Sequence, residues 1–100
     1  MKTIWKYQLT NPYQNDFDIP TLNKFAEQEP LDFSHQVLKL DVQHYVPTFW
    51  VAVDTSEQKQ KIRIHTVGTG WDASQVNVDQ YIGTIQDPNG LVWHFFYEIL

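Results

Sequence analysis

The chain has 100 residues, 42% hydrophobic and 15% aromatic, enough for one domain with its own core, and this composition excludes disorder. It has no cysteine, which excludes a disulfide framework and any thiolate metal site. A formal net charge of −5 and a pI near 5.1 argue against nucleic-acid binding by phosphate neutralisation, and no apolar run reaches membrane-spanning length.

Alternation with period two dominates the chain. Trp5, Tyr7 and Leu9 alternate with Lys6 and Gln8, the pattern of a half-buried first strand. Turn formers fill 11–16, and Phe17-Asp18-Ile19 gives a short second strand that ends at Pro20. Residues 21–29 carry the helical pattern, with Thr21 as N-cap, Leu22, Phe25 and Ala26 on one face, and Pro30 as the stop. Two turns of helix are stable only when packed against something else. The third strand is expected over 36–43, with Leu38, Leu40 and Val42 on one side and Lys39, Asp41 and Gln43 on the other. His44-Tyr45-Val46-Pro47 reads as a connection, because proline cannot donate to a central ladder. Residues 49–53 (Phe-Trp-Val-Ala-Val) are apolar on both faces and predict a central fourth strand.

After a polar loop at 54–59, the fifth strand alternates over 61–67. Gly68-Thr69-Gly70-Trp71 breaks it and opens a polar loop to about Asp79. Residues 81–86 form the sixth strand, and Asp87-Pro88-Asn89-Gly90 is a turn in which Gly90 can take positive φ. The final segment, 91–100, holds Trp93, Phe95, Phe96 and Tyr97 within five positions. Loose, it would be an aggregation hazard, so it is expected as a central strand. About seven short strands and one short helix predict a mainly β fold, a small antiparallel β-sandwich or partly closed barrel. The expectation is one β-rich domain over residues 1–100 with an inserted helical segment at 21–34.

Several segments occur in a recognisable order. They are the opening Lys2-Thr3-Ile4-Trp5-Lys6-Tyr7, then Phe17-Asp18-Ile19-Pro20, then Phe49-Trp50-Val51-Ala52-Val53-Asp54. Arg63-Ile64-His65-Thr66-Val67-Gly68-Thr69-Gly70, Tyr81-Ile82-Gly83-Thr84 and Leu91-Val92-Trp93-His94-Phe95-Phe96 follow. Together they resemble a family of short, functionally uncharacterised proteins of tailed phages and prophages. The departure is residues 21–34, which stand where that family has a tight connection. The resemblance implies a setting, a small protein acting inside a bacterial host. It carries over no catalytic or binding residue.

Gly68-Thr69-Gly70 follows a strand and offers backbone N–H groups of the kind that cradle phosphate. A dinucleotide fingerprint needs a third glycine and a helix there, so a tight bend using glycine's free φ is the competing reading. The four histidines, His35, His44, His65 and His94, form no HxH or HxxxH pair. His65 and His94, with Asp72 or Asp79 nearby, have the chemistry of a zinc set; the alternative is ordinary strand histidines beside aromatics. The carboxylates are scattered, and Ser34, Ser56 and Ser74 lack a nucleophile elbow. No catalytic residue, metal or cofactor is therefore expected. Tyr13, Tyr45, Trp71 and Tyr97 fall in turns or at strand ends, where such rings either anchor partners or fold back over the sheet edge. The candidate binding region is His65, Gly68, Thr69, Gly70, Trp71 and Asp72.

Three functions remain. The first is a non-enzymatic accessory protein that binds a host protein, for instance as a host-defence or host-takeover inhibitor. Its acidic half would meet a basic partner: residues 64–100 hold Asp72, Asp79, Asp87 and Glu98 but no Lys or Arg. The second is a module that sequesters a small nucleotide-like ligand, using the Gly-Thr-Gly loop, Trp71 for stacking, and Lys59, Lys61 and Arg63 for phosphate. The third is a minor structural or assembly protein that homo-oligomerises through an edge strand. The opening residues alternate at once and lack the apolar core of a signal peptide, so the expected compartment is the cytoplasm, that of the host cell if the gene is a phage's.

Overall fold

Residues 1–22 and 33–100 are described by a computed structural model. Seven strands carry it: β1 (Lys2–Gln8), β2 (Gln14–Pro20), β3 (Val37–Gln43), β4 (Val46–Asp54), β5 (Lys59–Gly68), β6 (Tyr81–Gln86) and β7 (Val92–Ile99). Single 3-10 turns lie at Phe33–Gln36 and Val78–Gln80. All pairings are antiparallel, in a three-stranded sheet β1-β4-β3 and a four-stranded sheet β2-β5-β7-β6. The sheets stay separate, so the fold is a sandwich and not a closed barrel. The apolar fourth and last strands, β4 and β7, are both central. Among the described residues no helix is long and apolar enough to cross a membrane. The helix expected over 21–29 lies, from residue 23 on, outside the described residues. Thr21 itself is tied between strands, donating to the Gln58 carbonyl at 3.2 Å and accepting from the Asp54 N–H at 3.2 Å.

The period-two pattern decides which side chains meet. Phe49, Val51 and Val53 of β4 face Ile62 and Ile64 of β5, Phe95 and Tyr97 of β7 and Ile19 of β2, all buried. Burying each such aliphatic or phenyl group contributes about 1.5–3 kcal/mol. Phe49 stacks on Tyr7 at 5.4 Å and meets Phe33 edge-on at 6.3 Å. The buried Gln36 is satisfied, its Nε2 donating to the carbonyls of Pro20 at 3.2 Å and Ala52 at 3.0 Å. Tyr97, expected at a strand end as a surface anchor, is instead a core ring, packed edge-on to Phe33 at 5.5 Å.

The stretch from His44 to Pro47 is not the connection expected. The turn is His44-Tyr45 alone, and β4 already includes Val46 and Pro47. Proline is tolerated because of which way it faces. Pro47 is opposite Val42 but directs its backbone toward β1, where its carbonyl accepts from Leu9 N–H at 2.8 Å. Its missing N–H falls where the β1–β4 ladder, which begins at Gln8 and Thr48, has already ended.

Leu40 on β3 packs against Gly83 on β6, closing one side of the sandwich. On the other side the edge strands β1 and β2 are joined by residues 9–13, with the Tyr7 and Phe17 rings 5.0 Å apart, and the far end of β2 reaches β4 through Gln36, which bonds the carbonyls of Pro20 and Ala52. The registers bring four connections to one end: residues 9–13, the His44-Tyr45 turn, the start of the β5–β6 loop, and the β6–β7 turn.

Candidate functional site

That loop end holds a cleft of about 310 Å³. Leu9, Pro12, Val42, Pro47 and Trp93 give it apolar walls, Asn11 and Asp87 supply polar groups, and Tyr45 stands at its mouth. Trp93 is fixed by its indole N–H, which donates to Asp87 Oδ2 at 2.9 Å. Asp87 Oδ1 accepts from the N–H groups of Asn89 at 2.9 Å and Leu91 at 3.0 Å, which shapes the turn. The Trp93 bond above all, helped by these backbone donors, holds the Asp87 carboxyl below the usual range.

Trp71 is positioned by the two glycines before it. Trp71 N–H donates to the Gly68 carbonyl at 3.0 Å, and Gly70 takes φ +90° as the third residue of that turn, where a β-carbon is strained. The indole then lies flat on Gly68: a β-carbon there would come within 2.9 Å of Trp71 Cε2. Trp71 meets Trp93 edge-on at 5.2 Å and 82°, and Tyr13 at 6.0 Å. Tyr13 is 65% exposed and Trp71 44%.

The β3–β4 turn presents a third ring. His44 has φ 52° and Tyr45 φ 67°, the positive values of a two-residue hairpin turn that favours Asn-Gly. Tyr45 is 87% exposed.

The outer face of the four-stranded sheet carries a separate polar array. Arg63 bonds both Asp16 oxygens, at 2.8 and 3.0 Å. The pair holds the Asp16 carboxyl below and the Arg63 guanidinium above their ordinary values. His65 Nε2 lies 2.9 Å from Glu98 Oε1. His94 is held at both ring nitrogens, by Thr69 Oγ1 at 2.8 Å and Thr84 Oγ1 at 3.0 Å, and Tyr81 hydroxyl bonds Thr84 in turn. Among the described residues no group of three or more His, Asp or Glu is placed to hold a metal.

The six residues singled out in the sequence are therefore divided by the sheet. Alternation along β5 sends Ile62, Ile64 and Gly68 inward and His65 outward, so His65 and Trp71 lie on opposite faces. Thr69 reaches the outer face and His94. The N–H of Thr69 donates to Val92 at 3.2 Å and that of Trp71 to Gly68, so both are already used within the fold. Asp72 turns back on Ser74, bonding its N–H and hydroxyl at 3.0 Å each, which lowers the carboxyl's pKa. What the structure brings together is Trp71 with Tyr13 and Trp93, and Trp93 with Tyr45 in the lining of the cleft. Periodicity does not mark Pro12, Pro47 and Trp93 as neighbours, because they are far apart in the chain. Tyr13 and Tyr45 carried the one available signal, large rings within turn segments.

No curated protein and no solved structure matches the chain. A family model does, over residues 1–99, nearly the whole length of these two sheets and their loop end. The chain thus belongs to the family described as "Domain of unknown function (DUF7352)".

Proposed function

We propose that this protein is a non-enzymatic interaction module that binds a basic segment of a host protein, anchored by an apolar side chain, at the loop end of its sandwich. The observation that carries this reading is Tyr45, 87% exposed at the mouth of an apolar cleft on a turn with positive φ at both residues. Non-glycine residues in that region cost of order 1 kcal/mol each, and Asn-Gly makes the same turn without the strain. A turn that gives up stability to present a tyrosine is consistent with recognition, since tyrosine buries much area for little entropy.

Charge supports the partner's chemistry. The four connections at this end contain Asp72 and Asp87 and no Lys or Arg. A Lys- or Arg-flanked apolar anchor complements such a surface. The resemblance to phage and prophage proteins supports a partner inside a bacterial host, such as a defence or takeover target.

The nucleotide reading has less behind it. Two N–H groups of the Gly68–Trp71 turn are already donated, and Lys61 and Arg63 lie with Asp18 and Asp16, away from Trp71.

The test is a complex captured from bacterial lysate, identified by native mass spectrometry and rebuilt from purified partners. Tyr45→Ala is expected to weaken it about tenfold or more, a loss of ~1.4 kcal/mol or above, with thermal stability unchanged because alanine keeps the β-carbon at this positive-φ position. Added salt is expected to weaken it further. Binding untouched by both Tyr45→Ala and salt would sink the reading.

A further inference from the structure

The open side of the sandwich carries two strand edges of opposite charge. β1 ends the three-stranded sheet and β2 the four-stranded one, and among the described residues no strand pairs with the outer edge of either. Leu9 N–H bonds Pro47, and Tyr13 carbonyl accepts from Thr66 at 2.9 Å. Odd-numbered residues of both segments thus bond into their own sheets, and the even-numbered N–H and C=O groups of β1 and those of Asp16 and Asp18 on β2 face the open edge, while the Gln14 N–H is taken by Asn11 Oδ1 and the Pro20 carbonyl by Gln36. The same even-numbered residues point their side chains to the outer faces: Lys2, Ile4 and Lys6 on β1, Asp16 and Asp18 on β2, all exposed. A shallow groove runs along β1, lined by Ile4, Trp5, Lys6 and Tyr7 together with Trp50 of the neighbouring β4.

Charge on the outer face of the four-stranded sheet alternates strand by strand. β2 is acidic, β5 is basic through Lys61 and Arg63, and β7 carries Glu98. Lys61 lies 3.7 Å from Asp18 and Arg63 2.8 Å from Asp16. The acidic row of β2 has basic neighbours on one side only. A basic strand at its open edge continues the alternation, and β1 is such a strand.

We infer that two copies of this chain form a two-fold dimer in which β1 of each copy pairs antiparallel with β2 of the other. An axis along the mean strand direction brings the β1 and β2 edges of one copy against those of the second and forms both ladders at once. Each joined sheet has seven strands, three from one copy and four from the other. β1 brings Lys2, Ile4 and Lys6 to these ladders and β2 brings Asp16 and Asp18. Even residues meet even residues, so Lys2 and Lys6 lie beside Asp16 and Asp18 outside, and Trp5 and Tyr7 beside Phe17 inside. Pairing β1 with β1, or β2 with β2, sets like charges opposite one another, which disfavours it. The contact is isologous, so it closes at two copies and does not grow into fibres.

The test joins sedimentation with zero-length carbodiimide cross-linking of a mixture of unlabelled and nitrogen-labelled protein. At tens of micromolar the protein is expected to sediment at twice its 11.8 kDa. Mixed-isotope peptides are expected to link Lys2 or Lys6 to Asp16 or Asp18. Lys2→Glu with Lys6→Glu is expected to give a monomer. Ile4→Pro is expected to do the same, because the N–H it removes faces the open edge and not β4. A monomeric wild type overturns the inference, as does a dimer lacking those peptides or one that survives both changes. If a variant fails to fold, the cross-links in the wild-type protein decide.

Discussion

Gly68 and Gly70 lie two residues apart and constrain the chain in different ways. Gly68 leaves room for the Trp71 ring, and Gly70 supplies the positive φ that turns the chain back toward it. Gly68→Ala is expected to cost about 1–3 kcal/mol, because the indole must leave its seat on Trp93. Urea unfolding followed by tryptophan fluorescence will show a lower midpoint and an altered native spectrum. Gly70→Ala, in open space, is expected to cost about 1–2 kcal/mol from backbone strain with the native spectrum retained. Asp54 is a second residue-scale case. Its carboxylate accepts from the Ser56 hydroxyl at 2.6 Å, the Ser56 N–H and the N-terminal amine, which hold its pKa at about 2. The folded value is depressed below the ordinary ~3.9, so the stabilisation is complete above that value. It fades as pH falls toward about 2. Asp54→Asn is expected to flatten the acid limb of a stability-against-pH curve, and an unchanged limb would show that the group contributes nothing.

At the scale of elements, the β3–β4 hairpin sets stability against presentation. Replacing His44-Tyr45 by Asn-Gly is expected to raise stability by about 1 kcal/mol, and Tm by roughly 4–8 °C, by removing strain at two positive-φ positions. The same change removes Tyr45 from the cleft mouth and is expected to abolish partner binding. A calorimetric scan with no rise in Tm would mean the turn is not strained. Much of each element was legible beforehand. Alternating residues placed the strands because one face of each must be dry. Pro47 misled, because the rule against proline in central strands depends on which neighbour the missing N–H faces, and that direction is a property of the pairing.

For the whole molecule, the two central strands carry the core. Phe95 on β7 is fully buried between the sheets. Phe95→Ala is expected to remove about 3–5 kcal/mol, a large part of the 5–15 kcal/mol that holds a domain of this size. The urea midpoint measures it, and a loss below about 1 kcal/mol would contradict a central β7. The two proposed surfaces adjoin, because Leu9 to Pro12 line the partner cleft at the loop end and also join the β1 and β2 edges.

Alternation and turn chemistry alone set the number and order of the strands, the turn at Asp87 to Gly90 and the central places of the apolar fourth and last segments. Each follows from local rules, since alternation, glycine and proline act within a few residues. The sequence also pointed to Trp71, Tyr13 and Tyr45 as rings in turn segments. Long-range pairing set the rest: the strands divide into sheets of three and four, Trp71 seats on Gly68 and Trp93 while His65 faces away, and β1 and β2 become the edges on one side. Those facts depend on which distant segments pair and in what register, which alternation alone leaves open.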